Sequence, residues 1–169
     1  MMEPVVFPAQ TGENRASEKP WATTGSKGEQ PRLITSIYLD PEVLDAHNWK
    51  LYEKYRLIEQ NEVMYETKYG DDSDWFLVAY GTTARICLSV VENLRKEGIK
   101  IGMIRPITLW PFPAQAFAEV LNKAQGFLCV EMSTGQMVED VRLSVAGKVP
   151  VHFYGRTGGT VPFPKDIEK

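Results

Sequence analysis

The sequence is poor in the residues from which metal and nucleophile sites are usually built. Cysteine occurs twice and histidine twice in 169 residues, so the four thiolates of an iron–sulfur cluster cannot come from this chain alone. His47 and His152 leave few parts for a metal cage or a Ser-His-Asp triad. Cys87 falls in a helical apolar stripe and Cys129 in a short strand-like run, and both read as small core residues. No apolar run reaches membrane-spanning length, and the N-terminus has no basic stretch leading into an apolar one, so the expected place is the cytoplasm. No long block of one charge occurs either: 19 basic and 22 acidic residues are interspersed, for a formal net charge of −3. Charge therefore points to neither a nucleic-acid groove nor an anionic membrane.

What is present suffices for a core, with 43% hydrophobic and 11% aromatic residues, enough for one domain and a long extension. The chain is organised around residues 74–85. Phe76 to Ala79 is a short apolar run closed by glycine, the pattern of a strand buried on both faces. Gly81 permits a sharp turn, after which Thr82 or Thr83 is placed to cap a helix running to about Glu97. In that helix Cys87, Val90, Val91 and Leu94 fall at i, i+3, i+4 and i+7, one stripe that lies back on the strand.

Three segments follow from the remaining punctuation. Residues 1–39 are an arm: prolines and glycines recur up to about Gln30 without a sustained period. The apolar opening Met1 to Pro8 suits either a partner surface or a flexible end. Residues 40–61 form a long helix, capped by Asp40 with Pro41 at its first position and Glu42 near the positive end of the dipole. Leu44, Leu51 and Ile58 make a narrow seam on it, for use against another subunit or its own domain. Residues 62–169 are an α/β domain. Val63 to Tyr69 reads as an edge strand or as more helix, and Glu97-Gly98 stops the second helix. Ile99 to Ile107 is a strand. A helix carrying Phe117, Val120, Leu121 and Ala124 then ends at Gly126. Phe127 to Val130 is a strand, Met137, Val138, Val141 and Val145 mark a helix closed by Gly147, and Val149 to Tyr154 is the last strand. This alternation predicts a mostly parallel sheet covered on both faces.

In such sheets ligands bind beyond the carboxyl ends of the strands. Gly81 and Thr82, Arg105, Gly135 and Gln136, and Arg156 with Gly158 belong to turns at that edge. They combine helix N-terminal amides with guanidinium forks suited to an anion such as a phosphate. Neither glycine turn matches a dinucleotide or P-loop fingerprint. Arg105 and Glu131 could equally pair and brace the edge. Glu131, directly after a buried strand, is the one candidate for a general acid or base, against a purely structural role. On residues alone the chain is a Rossmann-like module without a named reaction.

Residues 78–85, 102–113 and 130–142 resemble the C-terminal part of the alpha subunit of 2-oxoacid:ferredoxin oxidoreductases, in particular the branched-chain, 2-ketoisovalerate type. Residues 19–22, 38–43 and 153–159 add to the likeness, which covers nearly the whole chain. The resemblance implies a three-layer α/β/α, transketolase C-terminal-like domain, with a mostly parallel five-stranded sheet whose first, antiparallel strand is Val63 to Tyr69. It also implies a whole enzyme that uses thiamine diphosphate, iron–sulfur clusters and CoA to convert a branched-chain 2-oxoacid into an acyl-CoA while reducing ferredoxin. Implied partners are thiamine-binding and ferredoxin-like subunits in an oligomer.

This sequence departs from the family pattern. The thiamine-activating pyrimidine domain is missing, and the G-D-G…N-N diphosphate signature is absent; Gly70-Asp71-Asp72 matches it only locally. Met1 to Pro8 is then expected to be the end of that missing domain, and the isolated chain to be inactive, with no cofactor of its own. CoA contact at Gly81, Thr82, Arg105, Gly135, Gln136, Arg156 and Gly158 is the remaining site expectation. The alternatives are a non-catalytic subunit-interaction module and an autonomous Rossmann-like nucleotide-binding protein.

Overall fold

Strand β2 (Trp75–Val78) is central in a five-stranded sheet of order β1-β3-β2-β4-β5, as seen in a computed structural model that describes residues 19, 21–23, 25, 28 and 30–168. The expectations for Met1 to Pro8 lie outside the described residues. The chain falls into two compact units, residues 1–47 and 48–169.

In the first unit Tyr38 stacks on His47 with ring centroids 4.5 Å apart. Asp40 Oδ1 accepts the amides of Glu42 at 2.9 Å and Val43 at 3.3 Å, the expected cap of α1 (Pro41–Asn61). That carboxylate satisfies two of the donors a helix start leaves over.

In the second unit, β1 (Tyr65–Lys68) runs antiparallel to β3 (Ile101–Pro106), whereas β2, β3, β4 (Gly126–Glu131) and β5 (Val151–Gly155) are mutually parallel. Alternation along the strands separates two cores. Phe76, Val78, Ile104, Phe127 and Cys129 face α3 (Ala114–Val120) and α4 (Met137–Val145), with Phe117, Val120, Val138, Val141 and Val145 filling the space. Leu77, Ala79, Ile101, Met103 and Val130 face α2 (Gly81–Lys96) through Cys87, Val90 and Val91, and α5 (Pro164–Ile167) through Ile167. Each fully buried valine stabilises by roughly 1.5–3 kcal/mol relative to exposure. The result is the expected α/β/α arrangement with one antiparallel strand.

Two local expectations are corrected and one short helix is added. No threonine caps α2: the helix starts at Gly81 itself, with φ of 56°, and Thr83 Oγ1 instead donates to the Tyr80 carbonyl at 2.6 Å. A hydroxyl spent on a carbonyl this way does not serve the helix amides. Gly126 does not end α3, which stops at Val120; it opens β4, where a Cβ would lie 2.4 Å from the Trp75 ring. The short α5, begun by Pro164, has too few residues for a period to show in sequence. At the far end of α2 the stop is as expected. Gly98 (φ 88°) and Ile99 donate to the carbonyls of Arg95 and Leu94, both at 3.0 Å, which forms a Schellman motif.

The two cysteines lie in different cores, Cys87 on the inner face of α2 and Cys129 on β4 under α3 and α4. Burial pushes both thiols from 9.0 up to about 12. A folded value above the unfolded one favours the folded chain fully below pH 9, and the contribution fades as pH rises towards 12. At pH 8, iodoacetamide is therefore expected to leave both thiols unmodified in the folded chain and to label both in urea. Stoichiometric labelling under native conditions would contradict this core placement.

Candidate functional site

The carboxyl ends of β2, β3, β4 and β5 share one edge, as the parallel registers require. The edge does not act as a single site. Strands β3 and β5 are separated by β2 and β4, so Arg105 and Arg156 leave strands roughly 14 Å apart at the usual spacing.

Arg105 lies opposite Glu66 in the β1–β3 register and pairs with it at 3.2 Å. Both are exposed, so this pair contributes little to stability. The bracing partner is thus Glu66 and not Glu131. The cause is β1, whose antiparallel addition places its own acid beside the arginine.

Glu131, at the end of β4, is fully buried at 0% exposure. Its Oε2 accepts the Ser133 hydroxyl at 3.1 Å and the amides of Gln136 at 3.2 Å and Met137 at 3.0 Å; its Oε1 accepts the Val138 amide at 3.0 Å. A carboxylate thus sits where a helix N-terminus would hold an external anion. The amides after Gly135 that an external phosphate would need are already spent. Gly135 itself (φ 106°) donates to Ser133 Oγ at 3.1 Å, which tightens the same turn. Sequence placed Glu131 correctly at a strand end but could not show that four donors converge on it. The one available hint was its position six residues before an apolar helical stripe.

Gly81 and Thr82 are exposed at the start of α2, which has no side-chain cap. Arg156 stands at the β5 end. Its Nε donates to the Tyr154 hydroxyl at 2.9 Å, and its guanidinium lies 3.6 Å from Asp166. The hydrogen bond to Tyr154 raises the Arg156 pKa above its ordinary value. An open cleft of about 480 Å³ adjoins it, lined by Ser133, Thr134, Gly155, Arg156, Thr157 and Thr160. Gly158 (φ 65°) and Gly159 (φ 79°) form the tight turn that returns the Thr160 amide to the Thr157 carbonyl at 3.2 Å. Of the seven expected residues, Arg156 and Gly158 belong to this cleft and its turn, Gly135 and Gln136 to the Glu131 anchor, and Gly81, Thr82 and Arg105 to neither.

The Gly70-Asp71-Asp72 turn lies at the opposite end of the parallel strands, before β2. There Arg95 bonds Asp72 at 2.5 Å, Ser73 Oγ at 3.3 Å and the Ile101 carbonyl at 3.1 Å, and stacks over Tyr69. Arg95 holds the Asp72 carboxyl below its usual range. This turn is a brace for the α2–β3 connection.

The described residues do not fit thiamine diphosphate or an iron–sulfur cluster. The buried acid is committed to helix α4, Asp72 is committed to Arg95, and the two thiols are in separate cores. Among the described residues no group of three or more His, Cys, Asp or Glu could hold a metal, and no helix is long and apolar enough to cross a membrane.

The fold defines the class first. The structure superposes on a 2-oxoglutarate:ferredoxin oxidoreductase from Magnetococcus marinus, solved with 2-oxoglutarate, coenzyme A and succinyl-CoA bound. The TM-score is 0.69 at 18% identity, covering 87% of this chain and 27% of that one. It also superposes on a split-gene transketolase (TM-score 0.53, 17% identity, 62% of this chain and 39% of that one). Its fold is therefore the α/β fold that these two structures share. Residues 73–167 match the pyruvate:ferredoxin oxidoreductase core domain II family, and the chain belongs to it. Ketoisovalerate oxidoreductase subunit VorB of Methanothermobacter thermautotrophicus is 42% identical over 167 residues, which are 99% of this chain and 47% of that protein. The chain thus spans about half the length of the curated VorB relatives it matches.

Proposed function

We propose that this chain serves as the core-II domain of a 2-oxoacid:ferredoxin oxidoreductase, a non-catalytic scaffold in an enzyme that oxidises a branched-chain 2-oxoacid such as 2-ketoisovalerate to its acyl-CoA. Thiamine diphosphate and iron–sulfur clusters reside on partner domains, and ferredoxin takes the electrons through the complex in the cytoplasm. The observation that carries the scaffold role is the Glu131 carboxylate, wholly occupied by α4 and Ser133. The likeness to VorB along 99% of the chain supports the substrate class.

Among the expected edge residues, Arg156 adjoins a cleft with room for a ligand, where a guanidinium and the threonines Thr134, Thr157 and Thr160 suit a CoA phosphate. Two measurements separate the parts of this reading. The purified chain alone should show no 2-ketoisovalerate-dependent ferredoxin reduction, and should restore it when assembled with its cognate thiamine-binding and iron–sulfur subunits. Activity of the lone chain would overturn the scaffold role. Millimolar CoA should shift backbone resonances at residues 133–134 and 155–160 of the wild type and not of Arg156→Ala. An unshifted wild-type spectrum would remove CoA from this domain while leaving the scaffold role in place.

A further inference from the structure

Helix α1 is 21 residues long, yet none of its residues is buried. Helices in water draw most of their stability from packing an apolar face, and this one leaves large aromatics exposed. From residue 48 on, Trp49 is 61% exposed and meets Tyr52 edge-on at 5.7 Å, while Arg56 lies over the Tyr52 ring. Tyr55 meets Trp110, 56% exposed, edge-on at 5.6 Å. At 100° per residue, Trp49, Arg56, Tyr52 and Tyr55 occupy one arc of the helix, and Trp110 extends that arc onto the loop after β3. Large exposed aromatics with an arginine among them are the composition of interface hot spots.

What covers this face can be argued from lengths. The family match begins at residue 73, so α1 lies outside the domain core. The VorB likeness nevertheless runs through α1, because it takes in 167 residues of this chain, and those make up only 47% of that protein. A helix retained with the longer subunit but unused by the core domain is suited to contact the part of the subunit that the core does not represent.

We propose that the Trp49, Tyr52, Tyr55, Arg56 and Trp110 face docks the part of the oxidoreductase that corresponds to the other half of the relatives' length, with this chain's aromatics entering apolar pockets on it. The inference rests on the oxidoreductase-part reading. A second copy of this chain, or no occupant, are the competing outcomes.

The test compares the lone chain with the complex assembled from the subunits of its own genome. Amide exchange over residues 48–61 should slow about tenfold or more on assembly. The pair Trp49→Glu and Tyr52→Glu, both exposed and so compatible with folding, should weaken capture by about thirtyfold or more. The double variant's thiols should stay protected from iodoacetamide, which establishes that it is folded. If no complex captures the wild-type chain, the oxidoreductase-part reading fails. If the complex forms but residues 48–61 exchange as in the lone chain and the double variant assembles normally, the docking inference alone is overturned. Slow exchange in the lone chain together with concentration-dependent dimerisation would assign the face to a second copy and also overturn it.

Discussion

Glu131→Ala is expected to destabilise the second unit by about 3–5 kcal/mol, the range for removing one partner from a buried charged network. Truncation removes the acceptor for three backbone amides and the Ser133 hydroxyl at once. Those donors lie at the start of α4, where Met137 and Val138 are buried, so water cannot replace the carboxylate without opening the core. Glu131→Gln should cost less, about 1–3 kcal/mol, because one oxygen remains and the other is exchanged for an amide that opposes existing N–H donors. Urea titration at pH 7, followed by the circular dichroism signal, reads both values. A midpoint for Glu131→Ala within about 0.5 kcal/mol of wild type, the scatter of ordinary surface substitutions, would mean that the carboxylate does not anchor the helix. In the assembled enzyme, Glu131→Gln should retain its turnover per folded complex. A turnover loss without a matching loss of stability would restore Glu131 as an acid or base.

Gly155→Ala should be the other severe change, at up to about 3 kcal/mol by overpacking. A Cβ at this position would lie 2.4 Å from the Ser133 carbonyl oxygen and 2.4 Å from the Phe153 ring. The ring is partly exposed and has room to turn away. The carbonyl does not, because Ser133 is held by Glu131 and Gly135, and the next residue, Arg156, already donates its amide to the Glu131 carbonyl at 3.1 Å. The substitution therefore pushes β5 away from the turn after β4, and exchange protection should fall first at Gly155 and Arg156. Gly158→Ala makes a useful contrast. No atom lies within 4 Å of its Cβ position, but its φ of 65° is strained for an L residue. It should cost only about 1 kcal/mol, the scale of a single left-handed residue. Equal, small effects for both glycines would show that β4 and β5 are not packed as described.

How much was legible follows from what kind of signal each feature leaves. The stripes Cys87/Val90/Val91 and Val138/Val141/Val145 are local patterns of period 3.6, and both are buried as read. The Asp40 cap and the Gly98 stop are equally local, since their chemistry is complete within a few residues. Two helix ends were misread: at α2 Thr83 spends its hydroxyl on the Tyr80 carbonyl instead of capping the helix, and Gly126 serves a close approach instead of a helix stop. At Gly126 the requirement comes from Trp75, a residue far away in sequence. The candidate site suffered most. Arg105, Glu131 and Arg156 each sit at a strand end as read, but strand order and side-chain direction then give them Glu66, the α4 amides, and Tyr154 with Asp166.

The amino-acid order alone determined the α/β class, the element boundaries to within a few residues, the cores and the family likeness, because each is written in short-range periodicity or in contiguous motifs. Tertiary structure decided which charges meet. Pairing across a sheet depends on strand order, and no local period encodes the placing of β1 beside β3 or the return of Glu131 onto the helix that follows it. Only folding could turn the most catalytic-looking residue of the chain into the anchor of α4.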